Sequence, residues 1–235
     1  MNLRHYPVST GIARIDVHTA SADLNIPGWN KGLDELITCE YDRLHRCYHD
    51  VRHIAFMLGT LEGIETEVDK DALRLAILFH DFVYQPWGLS NEARSADIAA
   101  LLLRNIGYER AGYVESMIHC TDYKIPFLQL KNADPGIKLM RDLDLAALAL
   151  PWHEFVENRK NVLREYAQDG DLMFMTPDLV ERQAAFLKDI TKDGVYFTAP
   201  FTEYQEGGSL EDRAKHNIAQ WAEHGPKIYQ QPKIA

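Results

Sequence analysis

Residues 71–83, with the sequence DALRLAILFHDFV, are apolar on every side when they are projected as a helix. A helix of this kind is stable only where neighbouring elements cover all of its faces. We therefore predict that it is the central helix of the protein. Two ionisable residues, His80 and Asp81, interrupt its apolar run near the end.

Apolar residues at three- and four-residue steps extend the helical pattern in both directions. Leu44, Cys47, Val51, Ile54 and Leu58 predict one long helix over about 34–60. Further helices are predicted over about 91–105, 113–120, 137–150, 152–168, 177–192 and 210–224, and no sustained strand alternation occurs. We predict an all-α fold, with an irregular arm over 1–34 that includes one short strand within 12–17, a core over 35–150, and a helical extension over 151–235 packed on that core.

The composition is that of a globular protein, with 235 residues of which 46% are hydrophobic. Acidic residues outnumber basic ones by 35 to 25, which gives a net charge of −10. Duplex nucleic acid is bound mainly by Lys and Arg on its phosphates, so a general nucleic-acid binder is disfavoured. A small anionic substrate stays compatible with this charge, since a few local arginines or a metal cation can reverse the field in one cleft.

Cysteine usage and hydropathy bear on the environment of the protein. Cys39, Cys47 and Cys120 are odd in number and form no Cys-x-x-Cys pair, so neither a disulfide framework nor a thiolate zinc site is indicated. No run approaches the roughly 18 apolar residues that a membrane span requires. From these features we expect a soluble cytoplasmic protein that does not bind membranes.

His49 and His53 lie four residues apart in the predicted helix over 34–60, so they would project from one face about one turn apart. Such a pair offers two imidazoles to a common point, although histidines at this spacing also occur by chance. His80 and Asp81 are more informative, because an ionisable pair within an enclosed helix is costly unless something compensates it. Either a metal ion or an internal His–Asp hydrogen bond would do so.

Asp142 and Asp144 lie two apart in the predicted helix over 137–150 and therefore point to different sides. Asp144 projects nearer the apolar stripe of Met140, Leu143 and Ala147, which makes it the better inward carboxylate. For Asp142, a solvated or capping role is the stronger interpretation. Two histidines and two carboxylates together suit Mn, Fe, Co, Ni, Zn or Mg rather than a thiolate-preferring metal. A site of this kind with open coordination positions lowers the pKa of bound water.

The order His, His-Asp, Asp on successive helices resembles that of the HD-domain metal-dependent phosphohydrolases. The resemblance lies in RCYHDVRHI at 46–54, FHDFVY at 79–84, NEARSA at 91–96, DLDL at 142–145 and DRAKHN at 212–217. These segments are similar to those of a little-characterised bacterial branch of predicted phosphohydrolases, over about residues 35–220. The resemblance implies an HD-domain helical bundle with additional C-terminal helices and hydrolysis of a phosphoester, most plausibly in a nucleotide.

The segment at 48–53 is also similar to one in the class I cyclic nucleotide phosphodiesterases. Residue by residue, this implies His53, His80, Asp81 and Asp144 as metal ligands and His49 as the proton donor. In other HD enzymes the register differs and His49 would be the first ligand. Binuclear and oxygenase members have additional histidines between the His-Asp pair and the last aspartate, whereas this chain has only His119 there, so a diiron oxygenase is not expected.

Positive charge is needed on the non-bridging phosphate oxygens, and Arg46, Arg52 and Arg94 lie within or beside the motifs as candidate phosphate-binding residues. Arg52 has the alternative of pairing with an acidic surface residue. We also assign a catalytic role to Arg46, Asn91 and Glu92. Asn91 and Glu92 would hold water or orient His49. Alternatively, these two residues form a helix N-cap and its acidic first turn.

Three further expectations concern partners and loops. The rival to the hydrolase is an HD module that binds metal and nucleotide without turnover, and a purely structural metal is a third interpretation. Most aromatic residues of 151–235 are expected in the core, and the alternative is that they cover the cleft or form a homodimer surface. The connections at 168–177 and 198–210 are candidate lids.

Overall fold

The computed structural model describes residues 26–167, 177–204 and 208–228, and these residues form eleven α-helices, one 3₁₀ helix and no strand. The predicted all-α class is therefore confirmed. The elements are α1 Lys31–Tyr41, α2 Val51–Glu62, α3 Lys70–Phe79, α4 Asn91–Asn105, α5 Ala111–His119, α6 Phe127–Leu130, α7 Pro135–Leu145, the 3₁₀ helix Ala146–Ala149, α8 Trp152–Tyr166, α9 Pro177–Ile190, α10 Ala199–Thr202 and α11 Leu210–Ile228. Among these helices, none combines the length and the apolar character that a membrane crossing would need.

Helix α3 is central, as its sequence predicts. The side chain of Asp69 caps its start by accepting hydrogen bonds from the backbone N–H groups of Asp71 and Ala72. Helices α2, α4, α5 and α7 all pack against it, and every residue from 72 to 79 except Arg74 is buried. Full burial of one Leu, Ile or Phe contributes about 1.5–3 kcal/mol, so this helix is the main anchor of the core.

The prediction of one helix over 34–60 is wrong. Helix α1 ends at Tyr41 and α2 begins at Val51, while residues 42–50 form an irregular connection. Leu44, which the periodicity places in the core, is fully exposed. The chain starts a new helix because the Asp50 side chain accepts a hydrogen bond from Arg52 N at 2.8 Å as an N-cap. His49 therefore precedes α2 instead of sharing a helical face with His53.

The predicted helix over 137–150 divides into two parts. Helix α7 ends at Leu145, and the chain tightens into the 3₁₀ helix before Leu150 becomes extended next to Pro151. Helix α11 is tied to this point, because Asn217 Nδ2 donates to the carbonyl oxygens of Leu148 and Leu150, both at 2.8 Å. The end of α7 is thereby held between the central helices and the C-terminal ones.

One hydrophobic cluster runs from Ile26 to Trp221 and includes residues on both sides of Pro151. Helices α8 and α11 pack on the 3₁₀ helix, and α9 packs on α11. The expected strand within 12–17 and most of the candidate lid at 168–177 lie outside the described residues. In the other candidate lid, 198–210, residues 199–202 form α10.

Candidate metal centre

Four side chains from three parts of the chain converge beside the end of α3. His53 comes from the first turn of α2, His80 and Asp81 directly follow α3, and Asp144 lies near the end of α7. The Nε2 atoms of His53 and His80 are 3.3 Å apart. Asp144 Oδ1 lies 3.2 Å from His53 Nε2 and 3.5 Å from His80 Nε2, and Asp81 Oδ2 lies 2.9 Å from His80 Nε2.

These distances fit the coordination of a single ion. For metal–ligand bonds of about 2.1 Å, neighbouring ligand atoms lie roughly 3.0–3.4 Å apart in octahedral or tetrahedral geometry. Within the described residues, His53, His80 and Asp81 form a group whose ligand atoms all lie within 4.8 Å of one another, and Asp144 lies beside the two histidines but outside that group. Two nitrogens and carboxylate oxygens suit a borderline divalent cation. The identity of the metal does not follow from this donor set.

The tautomer of His80 supports the same interpretation. Its Nδ1 lies 2.9 Å from the carbonyl oxygen of Ile77 and must donate to it, which leaves the Nε2 atom of the neutral ring with a lone pair. That lone pair faces the carboxylates of Asp81 and Asp144 and the Nε2 of His53. Acceptors that face one another repel unless a proton or a metal ion lies between them.

The pKa shifts of His80 and Asp144 indicate that the cluster favours an additional positive charge. Burial disfavours the imidazolium of His80, but Asp81 and Asp144 outweigh it and raise the pKa of His80 well above its ordinary value. Burial likewise opposes ionisation of Asp144, yet the hydrogen bonds to His53 and His80 hold its pKa well below the ordinary range. A cation bound among these groups would satisfy the charge that a proton otherwise supplies.

The two aspartates of α7 have different roles in the structure. Asp144 Oδ2 accepts a 2.5 Å hydrogen bond from Tyr123, so its Oδ1 is oriented toward the histidines. Asp142 is fully buried rather than solvated, and it accepts hydrogen bonds from the backbone N–H groups of Phe197 and Thr198 and from the Thr198 hydroxyl. The structure therefore brings Asp144, and not Asp142, to the cluster.

Glu165 on α8 is a site residue that the sequence analysis missed. Its Oε1 accepts hydrogen bonds from the consecutive backbone N–H groups of residues 47, 48 and 49, at 2.7, 2.7 and 2.9 Å. Its Oε2 accepts from the Tyr84 hydroxyl at 2.7 Å and lies 2.6 Å from His49 Nδ1. This buried carboxylate fixes the irregular connection before α2. In the sequence, Glu165 looks like one more charged residue of an amphipathic helix.

His49 becomes a positioned acid–base group through this contact. The carboxylate of Glu165 holds a proton on Nδ1, and Nε2 has no hydrogen-bond partner within the described ranges. Burial lowers the affinity of the ring for a proton, but Glu165 and Asp81 outweigh it and raise the pKa of His49. Burial would raise the pKa of Glu165, yet the charge of His49 and its hydrogen bond lower it to about 2.

A cavity of about 400 Å³ opens beside the cluster, and its wall includes His49, Asp81 and Asp144. The remaining ionisable groups of the wall are mostly acidic, with Glu92, Asp122 and Asp189 against Lys124 and Arg159, apart from several tyrosines. Burial raises the pKa of Glu92. The predicted catalytic candidate Glu92 thus does line the cavity beside the metal cluster.

Similarity to known proteins does not indicate what this centre does. Comparisons of the chain with models of known protein families, with curated proteins and with solved structures find no match. The function of the cluster and the cavity is therefore argued below from their chemistry.

The structure places the three predicted phosphate-binding arginines outside the cavity wall. Arg46 is buried and donates to the carbonyl oxygens of His49, Asp81 and Phe82 at 2.9, 2.7 and 2.9 Å, so it joins the 42–50 connection to the end of α3. Arg52 is exposed and pairs with Asp50 and with the Cys47 carbonyl. Arg94 is exposed on α4. None of the three belongs to the wall of the 400 Å³ cavity.

The remaining candidates are also placed. Asn91 Oδ1 accepts from Gln85 N at 3.2 Å and its Nδ2 donates to the Gln85 carbonyl at 2.8 Å, so its amide closes the turn before α4. The alternative N-cap interpretation is wrong for Asn91, because Ser90 is the N-cap residue of α4, whereas Glu92 does lie in its acidic first turn. His119 is only half-buried, and in the described ranges, unlike Asp144, it has no hydrogen bond or ion pair with His53 or His80.

Proposed function

We propose that this protein is a metal-dependent phosphohydrolase that cleaves a phosphoester, most suitably in a nucleotide. One observation carries the proposal: the Nε2 atoms of His53 and His80 face each other at 3.3 Å among two carboxylates, beside a cavity whose wall includes His49, the partner of Glu165. The resemblance of the same residues to the HD-domain phosphohydrolases supports it independently of the geometry.

His53, His80, Asp81 and Asp144 would hold the ion. A divalent cation in such a site supplies Lewis acidity, which activates water near neutral pH and polarises a phosphoryl oxygen. The protein contributes rigidity: the Ile77 carbonyl orients His80 and the Tyr123 hydroxyl orients Asp144. Such outer contacts set the direction of each ligand atom before any ion binds.

His49 would protonate the departing oxygen from its Nε2. Glu165 holds Nδ1, so the proton to be transferred is on the opposite edge of the ring, which lies in the cavity wall. The raised pKa keeps the ring protonated closer to neutral pH, as a proton donor requires. Glu165 is a positioning residue, because it contacts His49 and the 47–49 backbone but is not itself part of the cavity wall.

Aromatic residues near the cavity support a nucleotide over a purely aliphatic phosphate ester. Tyr166 lines the cavity, and the exposed ring of Trp87 contacts it edge-on with centroids 5.0 Å apart. Phe186 is also in the wall and remains half exposed. Exposed aromatic surface of this kind stacks readily on the flat face of a base.

The test is a phosphate-release screen across nucleotides with chelator-treated protein reloaded with Mn²⁺, Co²⁺, Ni²⁺, Zn²⁺ or Mg²⁺. Hydrolysis should depend on the ion, and the His80→Ala and Asp144→Ala variants should lose both ion binding and activity. The His153→Ala variant is the matched control, since that side chain is 81% exposed. Full activity in both ligand variants would refute the proposal, and tight nucleotide retention without product would favour a non-catalytic binding module.

A further inference from the structure

Arg159 on α8 is a buried cation in the cavity wall, and no acidic side chain of the described residues pairs with it. Its side chain lies in the lining of the 400 Å³ cavity, and the residue is only 7% exposed. Throughout the described part of the chain, its guanidinium forms no ion pair and no hydrogen bond with protein, and its Nε is fully buried without a partner. Its contacts are aromatic: the Tyr48 and Phe155 ring centres lie 5.4 and 5.5 Å from its guanidinium carbon.

The Nε of Arg46 is likewise buried without a partner, but the terminal nitrogens of Arg159 differ from those of the other buried arginines among the described residues. Of the residues that the structure describes, two other arginines are buried, and both donate to backbone: Arg46 to three carbonyl oxygens and Arg141 to the carbonyls of Cys120 and Asp122. Lys124, the other cation in the cavity wall, is exposed and donates to the Leu89 carbonyl. A buried charge is costly unless it is paired, and aromatic faces compensate it only in part. The charge of Arg159 is therefore only partly compensated, and an anion bound beside it would stabilise it.

The position of Arg159 connects it with the metal cluster. The Tyr48 ring centre lies 5.4 Å from the guanidinium carbon of Arg159 and 4.9 Å from the His53 ring centre. A single aromatic ring thus separates the guanidinium from a ligand of the cluster. Asp144 and Arg159 also line the same cavity, so a ligand bound there would have both side chains in its wall.

The chemistry of the anion follows from the donor. A guanidinium is a planar fork that matches two oxygens of a phosphate or a carboxylate. We propose that Arg159 binds a phosphate group of the ligand of this cavity through two of its N–H groups. Which reaction this phosphate undergoes rests on the proposed function, whereas the anion site itself does not.

The experiment measures binding of inorganic phosphate by calorimetry and by the rise in melting temperature, at constant ionic strength, for metal-free and for Mn²⁺-loaded protein. Arg159→Met removes the charge at similar length, Arg159→Lys keeps the charge without the fork, and Arg182→Met is the control on an exposed arginine of α9. Phosphate should stabilise the wild type and Arg182→Met. Arg159→Met should bind phosphate at least tenfold more weakly, with Arg159→Lys between the two.

Melting without phosphate separates a ligand-binding role from a structural one. If Arg159 awaits an anion, Arg159→Met should melt at or above the wild-type temperature, because it removes an unpaired buried charge. Melting well below wild type would assign Arg159 to packing over Tyr48 and Phe155 and would overturn the proposal. So would unchanged phosphate affinity in Arg159→Met, or a wild type that binds phosphate in neither metal state.

The outcomes also distinguish this inference from the proposed function. Metal-dependent hydrolysis with an unchanged KM in Arg159→Met would leave the hydrolase standing and refute the anion site. Phosphate binding that depends on Arg159, in a protein that hydrolyses no phosphoester with any metal, would support the anion site and refute the hydrolase.

Discussion

Replacement of Glu165 by glutamine should weaken the fold and change its response to acid. The carboxylate accepts three backbone N–H groups and the Tyr84 hydroxyl, and it pairs with His49 at 2.6 Å. Its pKa is lowered from 4.5 to about 2. That difference corresponds to about 3 kcal/mol of favourable interaction with the charged form at neutral pH. Glutamine keeps one accepting oxygen, so this value is the upper bound of the expected loss.

The pH dependence of the stability follows from the opposite pKa shifts of Glu165 and His49. The depressed pKa of Glu165 contributes stability that is present above pH 4.5 and is lost as pH falls toward about 2. The raised pKa of His49 contributes stability that is complete below its ordinary value of 6.5 and is lost as pH rises through the raised value. The pair is therefore most stabilising between these limits. In Glu165→Gln, both slopes should be reduced.

Urea unfolding of the metal-free protein from pH 3 to 8 measures this effect. A loss approaching 3 kcal/mol would lower the melting temperature by roughly 6–12 °C in a chain of this size. Glu115→Gln is the control, because Glu115 pairs with Arg104 at the surface, where such pairs contribute about 0–1 kcal/mol. A loss below about 1 kcal/mol in Glu165→Gln, or an unchanged pH slope, would refute the reasoning.

Three other changes have distinct expected results. His49→Gln should slow the hydrolysis of alkyl phosphate esters by about 10²–10⁴-fold. Hydrolysis of p-nitrophenyl phosphate should be slowed much less, because its leaving group needs no proton. Equal losses in the two steady-state rates would contradict the role of His49 as the acid. Asp142→Ala should cost about 2–4 kcal/mol in urea unfolding with unchanged metal affinity, because the buried N–H groups of Phe197 and Thr198 lose their acceptor. Chelation should lower the melting temperature of the metal-loaded protein, and Mn²⁺ should restore it. In Asp144→Asn, neither chelation nor Mn²⁺ should change the melting temperature.

Several elements of the fold depend on local pattern and were predictable from it. The unbroken apolar run of residues 72–79 identifies α3 as the central helix, and α4 begins at Asn91 and ends at Asn105 as predicted. Local periodicity works here because each helix contributes its own buried face or stripe. The projection that turned Asp144 toward the apolar stripe depended on the same rule.

The break over residues 42–50 could not be predicted from period alone. The spacing of Cys47, Val51 and Ile54 is that of a helix, but the chain is not helical over residues 42–50 and becomes so only at Val51. The N–H groups of residues 47–49 are taken by the carboxylate of Glu165, more than a hundred positions along the chain. Such a long-range acceptor competes with helical hydrogen bonds and leaves no local trace in the sequence.

What the sequence determined by itself was the all-α class, the central helix and the residue types able to ligate a metal, since these follow from composition and short-range spacing. Only the tertiary structure decided that His49 leaves the helix to face Glu165, that Arg46 is used on backbone carbonyls, and that the Arg159 guanidinium has no hydrogen bond or ion pair among the described residues. The physical reason is that the pairing of a buried charge depends on which distant groups the fold brings within hydrogen-bonding distance.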